Sequence, residues 1–259
     1  MVATDVHHTL QGPEGAPVVV FSNSLGTTGA MWDAQAVALS DRFRVLRYDA
    51  RGHGETPAPP GPYTVGDLAG DVLALLDRLE LERVTFCGLS IGGMTGMWLG
   101  VHAPERIERL VICCTGMQLP PAEMWTERAA VVREKGMVEV IDATIERWFT
   151  PSFREHSPDV VARIREIFLG TDPEGYAGCC EALAEFDMRG QLGAVTAPTL
   201  VIAGEDDTVG TPERAAAIAD EIEGSRVVIL PNARHLAAVE QADAVTRELE
   251  QHLSVGAAK

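Results

Sequence analysis

Positive charge is scarce in this sequence. Lys and Arg number 21 against 38 Asp and Glu, a formal charge of -17 over 259 residues. A surface that acidic repels phosphate backbones and anionic headgroups, so neither nucleic acid nor a membrane is an expected partner. Long apolar runs are missing as well, and none approaches the roughly 20 residues of a membrane span. The first ten residues hold an acid and two histidines but no apolar core of the signal-peptide kind. Cysteine is sparse and odd in number. Cys87, Cys113, Cys114, Cys179 and Cys180 make no CxxC, which argues against a disulfide framework or a zinc site and for buried thiols in a reducing compartment. The expectation is a cytoplasmic protein.

Apolar bulk is plentiful: 46% of the residues are hydrophobic and 23% charged, enough for a sizeable globular core. The length suits one large domain or one domain carrying an insertion. Short runs rich in Val, Ile and Leu occur at 17–21, 43–48, 84–87, 107–114, 199–203 and 226–230, each bounded by turn residues. They do not alternate, which is the mark of strands covered on both faces of a parallel sheet. His7 and His8 fall in a further, edge strand. Helical spacing appears between the runs: at 64–79 (Val65, Leu68, Val72, Leu75, Leu76, Leu79), and at 91–102, 212–223 and 238–253. Alternating strand and helix predict a mostly parallel, doubly wound α/β sheet. The stretch 117–190 breaks the alternation. It reads as four helices, roughly 121–135, 137–148, 157–169 and 173–186, parted by Gly136, Pro151, Pro158 and Pro173. The expected division is a core of 1–116 and 191–259 and a helical cap of 117–190.

The segment Gly88-Leu89-Ser90-Ile91-Gly92 matches G-x-S-x-G between an expected strand and an expected helix. A serine hydroxyl is a weak nucleophile unless it is exposed beside a base. A tight strand-to-helix turn lifts it out of the sheet, and the flanking glycines relieve the crowding. The helix start also offers the Ile91 N–H to an oxyanion. Of seven histidines, His235 directly follows the last expected strand while His252 falls in the last expected helix, and reacting groups of open α/β sheets gather beyond the carboxyl ends of strands. His235 is therefore the candidate base. Its orienting acid is sought where the strand ending at Ala203 runs into Gly204-Glu205-Asp206-Asp207. Asp207 is the choice and Asp206 the alternative. The second oxyanion donor is expected from Ser22-Asn23-Ser24-Leu25-Gly26 after the first core strand, with Leu25 N–H as candidate. His53, in Arg51-Gly52-His53-Gly54, is expected to satisfy backbone groups of a structural turn.

These residues resemble a known family, the 3-oxoadipate enol-lactonases of the α/β-hydrolase superfamily. The likeness runs through Asn23-Ser24-Leu25-Gly26-Thr27, Met31-Trp32-Asp33, Arg51-Gly52-His53-Gly54 and Gly88-Leu89-Ser90-Ile91-Gly92-Gly93. It continues in Arg147-Trp148-Phe149-Thr150-Pro151 and Thr171-Asp172-Pro173-Glu174-Gly175-Tyr176. The resemblance implies an α/β-hydrolase fold with a helical cap inserted after the sixth strand. It implies a Ser90, His235, Asp207 triad, no cofactor and no metal, and opening of an anionic lactone in aromatic catabolism. Gly210 departs from the family pattern, as if the loop after Asp207 were one residue shorter. The lactone carries a carboxylate, for which Arg128, Arg133 and Arg147 are candidates, with Trp125 and Trp148 as candidate walls. A general carboxylesterase or a cofactor-free perhydrolase would share the triad, as would a catalytically slow ligand receptor.

Overall fold

The computed structural model describes residues 3–119 and 121–254. Among these residues seven strands form one sheet: β1 His8–Gln11, β2 Val18–Ser22, β3 Arg44–Tyr48, β4 Val84–Leu89, β5 Ile107–Cys113, β6 Thr199–Gly204 and β7 Arg226–Leu230. Their spatial order is β1-β3-β2-β4-β5-β6-β7. β1 lies antiparallel to β3, and every other neighbouring pair is parallel. The central strands β2, β4 and β6 are buried along their whole length, as their unbroken apolar runs require. Edge strand β7 alternates burial instead.

Helices cover both faces. α1 (Asp33–Leu39), α2 (Val65–Arg78) and α3 (Ile91–His102) precede β5, and α9 (Pro212–Glu221), α10 (Ala237–Glu240) and α11 (Ala242–Ser254) follow β6. α2 starts on a capping box, with Thr64 Oγ1 accepting from the Asp67 N–H and an Asp67 carboxylate oxygen accepting from the Thr64 N–H, an arrangement worth about 1 kcal/mol. α3 is buried because its small residues let it lie on the sheet. A Cβ at Gly96 would come within 3.0 Å of Phe86 and Leu110. α1 was not expected from the pattern, since its seven residues are too few to show a helical period.

Between β5 and β6 run five helices: α4 Ala122–Lys135, α5 Ile141–Trp148, α6 Pro151–His156, α7 Pro158–Leu169 and α8 Pro173–Glu185. Two corrections follow. The insertion comes after the fifth described strand, not the sixth, because only one strand precedes β2; the turn through Gly12, Pro13 and Gly15 separates the two. The insertion also has five helices rather than four. Pro151 opens α6 instead of parting two others, because proline at a first helical position gives up only an N–H that has no partner there.

Among the described residues no helix is long and apolar enough to cross a membrane. All five cysteines are free and buried. His252, on α11, is buried next to Arg109 and Arg226, and burial with these cations lowers its pKa to about 4. Below the ordinary histidine value near 6.5 the unfolded chain binds a proton that the folded chain refuses. This contribution to stability is therefore complete above about 6.5 and drains away as pH falls toward 4. His252→Leu should flatten the loss of Tm over that interval relative to the parent; parallel Tm curves would place the acid sensitivity elsewhere.

Candidate active site

β4 ends in the turn that carries Ser90. Ser90 adopts φ 59°, ψ −119°, left of where a side chain normally sits, at a cost of about 1–3 kcal/mol. Two close approaches make the turn possible. A Cβ on Gly88 would lie 2.0 Å from the Gly92 carbonyl oxygen, and one on Gly92 would lie 2.5 Å from that of Ser22. The Ser90 N–H donates to Cys113 O across the sheet (2.9 Å), which leaves the turn no slack. Ile91 begins α3, so its N–H has no carbonyl one turn back. Leu25 sits in a turn closed by the Thr27 N–H on Ser24 O at 3.0 Å. Among the described residues neither the Leu25 nor the Ile91 N–H donates to a protein acceptor.

His235 follows β7 and Asp207 follows β6, and the two meet because these strands are neighbours. Asp207 Oδ2 and Oδ1 lie 3.0 and 3.2 Å from His235 Nδ1. Both residues are buried. Oδ1 also accepts the Val209 N–H at 2.7 Å, which fixes the carboxylate. A carboxylate can only accept, so Nδ1 carries a proton, and in the neutral ring the lone pair is on Nε2. Asp206 is exposed and turned toward a separate surface cleft with Asn232 and Arg234. Gly210, which departs from the family pattern, is demanded by packing: a Cβ there would meet the Cys114 carbonyl carbon at 2.0 Å.

Ser90 and His235 line one narrow cavity of about 30 Å³, together with Leu25, Ser24, Val209 and residues of the helical insertion. Four of the five insertion residues singled out from sequence, Trp125, Arg128, Arg147 and Trp148, line it too. Trp125 is anchored by its Nε1–H on Leu119 O at 2.8 Å. Trp148 meets Phe168 edge-on at 5.5 Å. Arg128 donates to Tyr176 Oη at 2.7 Å and to Thr144 Oγ1 at 2.5 Å. Arg147 has no hydrogen-bond or ion-pair partner among the described residues. Burial and the charge of Arg128 lower its pKa. Arg133 is the exception and is a correction. It is exposed and spans from α4 to Glu174 and Glu181 on α8. Arg128 and Arg133 lie five residues apart, about 140° around a helix, so both cannot face one cavity.

Sequence reasoning missed several neighbours. Tyr176 and Thr144 hold Arg128, and nothing in their spacing marks them. Glu240 was missed as well. Its buried carboxylate accepts from the Thr150 N–H (2.9 Å), the Thr150 hydroxyl (2.5 Å) and the Arg234 N–H (2.8 Å). The Leu236 N–H donates to Trp148 O at 3.1 Å. The His235 loop is thus tied directly to the corner of the insertion that bears Arg147 and Trp148. His53, as expected of a structural turn, bonds only to backbone.

A serine in a tight strand-to-helix turn, a histidine bonded to a carboxylate and two open N–H groups at the carboxyl ends of a parallel sheet define a class, and a model of the alpha/beta hydrolase fold matches residues 17–242. The chain is 41% identical to 3-oxoadipate enol-lactonase 2 of Acinetobacter baylyi, over 96% of this chain and 94% of that protein. Its structure is similar to the crystal structure of the enol-lactonase from Burkholderia xenovorans LB400, with TM-score 0.95, 45% identity and 97% of each chain covered. It is also similar to a thermophilic esterase from Thermogutta terrifontis with malate bound, with TM-score 0.91 and 31% identity over 96% of this chain and 92% of that one. The chain belongs to the α/β-hydrolase family, in the branch of the 3-oxoadipate enol-lactonases.

Proposed function

We propose that this protein hydrolyses 3-oxoadipate enol-lactone to 3-oxoadipate through an acyl-enzyme on Ser90. Residues 117–190 act as a cap that selects the substrate over the catalytic core. Ser90 Oγ attacks the lactone carbonyl carbon while His235 Nε2 takes the hydroxyl proton. Asp207 holds the imidazole and stabilises the imidazolium. The Leu25 and Ile91 N–H groups receive the oxyanion, each worth roughly 2.7–4 kcal/mol in the transition state. Collapse breaks the ring C–O bond, and the enol oxygen leaves with the proton from His235. The enolate is a better leaving group than an alkoxide, so this step is easy. Water, deprotonated by His235, then cleaves the ester to Ser90, and the freed enol tautomerises to the ketone.

The observation that carries the reading is Arg147. It is a cation without a hydrogen-bond or ion-pair partner among the described residues, in a protein of charge -17, lining the same cavity as Ser90 and His235. Such a group is costly unless an anion joins it, and the enol-lactone brings a carboxylate. Arg128 adds to the positive field but is already held by Tyr176 and Thr144.

The test is steady-state hydrolysis of the enol-lactone beside p-nitrophenyl acetate. Charge-assisted hydrogen bonds contribute about 1.5–3 kcal/mol. Arg147→Met should therefore raise KM for the lactone by roughly 10- to 100-fold and shift KM for the neutral ester by less than about threefold. Equal shifts on both substrates would remove Arg147 from the carboxylate role. A general esterase is the second reading, favoured by the likeness to the Thermogutta enzyme. It requires the neutral ester to match or exceed the lactone in kcat/KM.

A further inference from the structure

His53 is almost fully buried, at 1% exposure, yet touches neither the cavity nor another side chain's charge directly. Both ring nitrogens are engaged by backbone. Nε2 lies 2.8 Å from the Gly26 N, and Nδ1 lies 2.8 Å from the Arg51 carbonyl oxygen. The Gly26 N–H can only donate and the Arg51 carbonyl can only accept. The ring is therefore neutral, with its proton on Nδ1 and its lone pair on Nε2. Burial lowers the basicity of His53, against the upward pull of Asp49 and Asp172, in keeping with that state.

Gly26 is the residue after Leu25. Ser24 to Thr27 form a turn closed by the Thr27 N–H on Ser24 O, with the Thr27 hydroxyl donating to the same oxygen at 2.7 Å. Gly26 has φ 80°, the positive value that the third position of a type II turn requires. The Leu25 N–H belongs to the same trans peptide as Ser24 O and so points away from Thr27. What the turn's own bonds do not hold is its central peptide, Leu25 to Gly26, which reverses when a type II turn becomes type I. The Gly26 N–H is on that peptide, and His53 is its acceptor.

We propose that His53 is a positioning residue that locks the Leu25–Gly26 peptide and so keeps the Leu25 N–H aimed at the oxyanion. A protonated ring would set N–H against N–H, so only the neutral ring can serve. The proposal rests on the serine-hydrolase reading above. It assigns His53 no proton transfer and no contact with substrate.

Three substitutions separate positioning from packing. Gln places an acceptor at the reach of Nε2. Asn extends only to the level of Nδ1, and Phe fills the space with no acceptor. His53→Gln should keep kcat on the enol-lactone within about fivefold of the parent. His53→Asn and His53→Phe should each lose roughly 10- to 100-fold in kcat, somewhat less than removal of an oxyanion donor outright, with KM within about threefold. Phenylboronic acid, which becomes tetrahedral on Ser90 and places an oxygen in the same hole, should bind more weakly by the same factor. If His53→Phe does not fold by circular dichroism, the contrast of Gln with Asn carries the test. Equal kcat for Gln and Asn would overturn the proposal, as would loss of kcat with boronate affinity unchanged. Ser90→Ala is run alongside. If it retains turnover, the serine reading itself fails; if it is inactive while His53→Asn is fully active, only the positioning role fails.

Discussion

Ser90→Ala should lower kcat on the enol-lactone by roughly 10⁴- to 10⁶-fold, the scale on which hydrolases respond to loss of the nucleophile. That corresponds to about 5–8 kcal/mol of transition-state stabilisation. The remaining rate over water would come from the oxyanion N–H groups and from substrate positioning, which the substitution leaves in place. The protein should stay folded. Ser90 holds its place through its backbone, by the N–H on Cys113 O and the carbonyl that receives the Met94 N–H. Its hydroxyl makes no hydrogen bond to the described residues. Alanine in the same positive-φ conformation keeps those contacts, so Tm should move by only a few degrees. A variant that kept more than a few per cent of parental kcat with an unchanged Tm would refute Ser90 as nucleophile.

Asp207→Asn should cost roughly 10⁴-fold in kcat, and Asp206→Asn less than twofold. The asparagine is isosteric, and its oxygen can still accept the Val209 N–H that Asp207 Oδ1 now accepts at 2.7 Å. Its amide nitrogen then faces His235 Nδ1, where the carboxylate stood at 3.0 Å. Two donors cannot share that position, so Nδ1 must give up its proton and Nε2 acquire one. The imidazole then points an N–H at Ser90 and cannot act as a base, the same tautomer trap that disables other serine triads. Asp206 is exposed and forms no hydrogen bond or ion pair with His235, whose Nδ1 pairs with Asp207. The comparison is made on kcat with Tm measured for both variants. Comparable losses in the two would mean that the acids are exchangeable; a large loss only in Asp206→Asn would transfer the role.

Ser90 was legible because one local feature determines its place. A strand, a glycine-flanked serine and a buried helix are all encoded within about fifteen residues, and the tight turn needs nothing from elsewhere. The place of His235 was legible because strand ends are local and it follows the last strand directly, whereas His252 lies in the final helix. The choice between Asp206 and Asp207 was not. The two are adjacent, of the same chemistry and in the same loop, and what separates them is the contact between β6 and β7. The Asp206 N–H bonds to Ala233 O, and the Asp207 side chain turns inward beneath His235.

The insertion shows the same boundary. Its helices were readable from spacing and proline, apart from the short α6, whose six residues carry too little pattern. Which of its arginines meets the cavity was not readable. Arg128, Arg133 and Arg147 look alike in sequence, and their partners lie on other elements: Tyr176 on α8 for Arg128, Glu174 and Glu181 on α8 for Arg133. Glu240 escaped notice for the same reason, because Thr150 is 90 residues away along the chain.

By itself the sequence determined the parallel α/β sheet, the strand-to-helix turn at Ser90 and the place of His235 beyond the last strand, because short-range sterics and hydrophobic period set all three. Only the tertiary structure decided that Asp207 reaches His235, that Arg147 rather than Arg133 faces the cavity, and that His53 holds the turn beside Leu25. Each of those depends on a contact between residues distant in the chain, and such contacts leave no period or spacing to read.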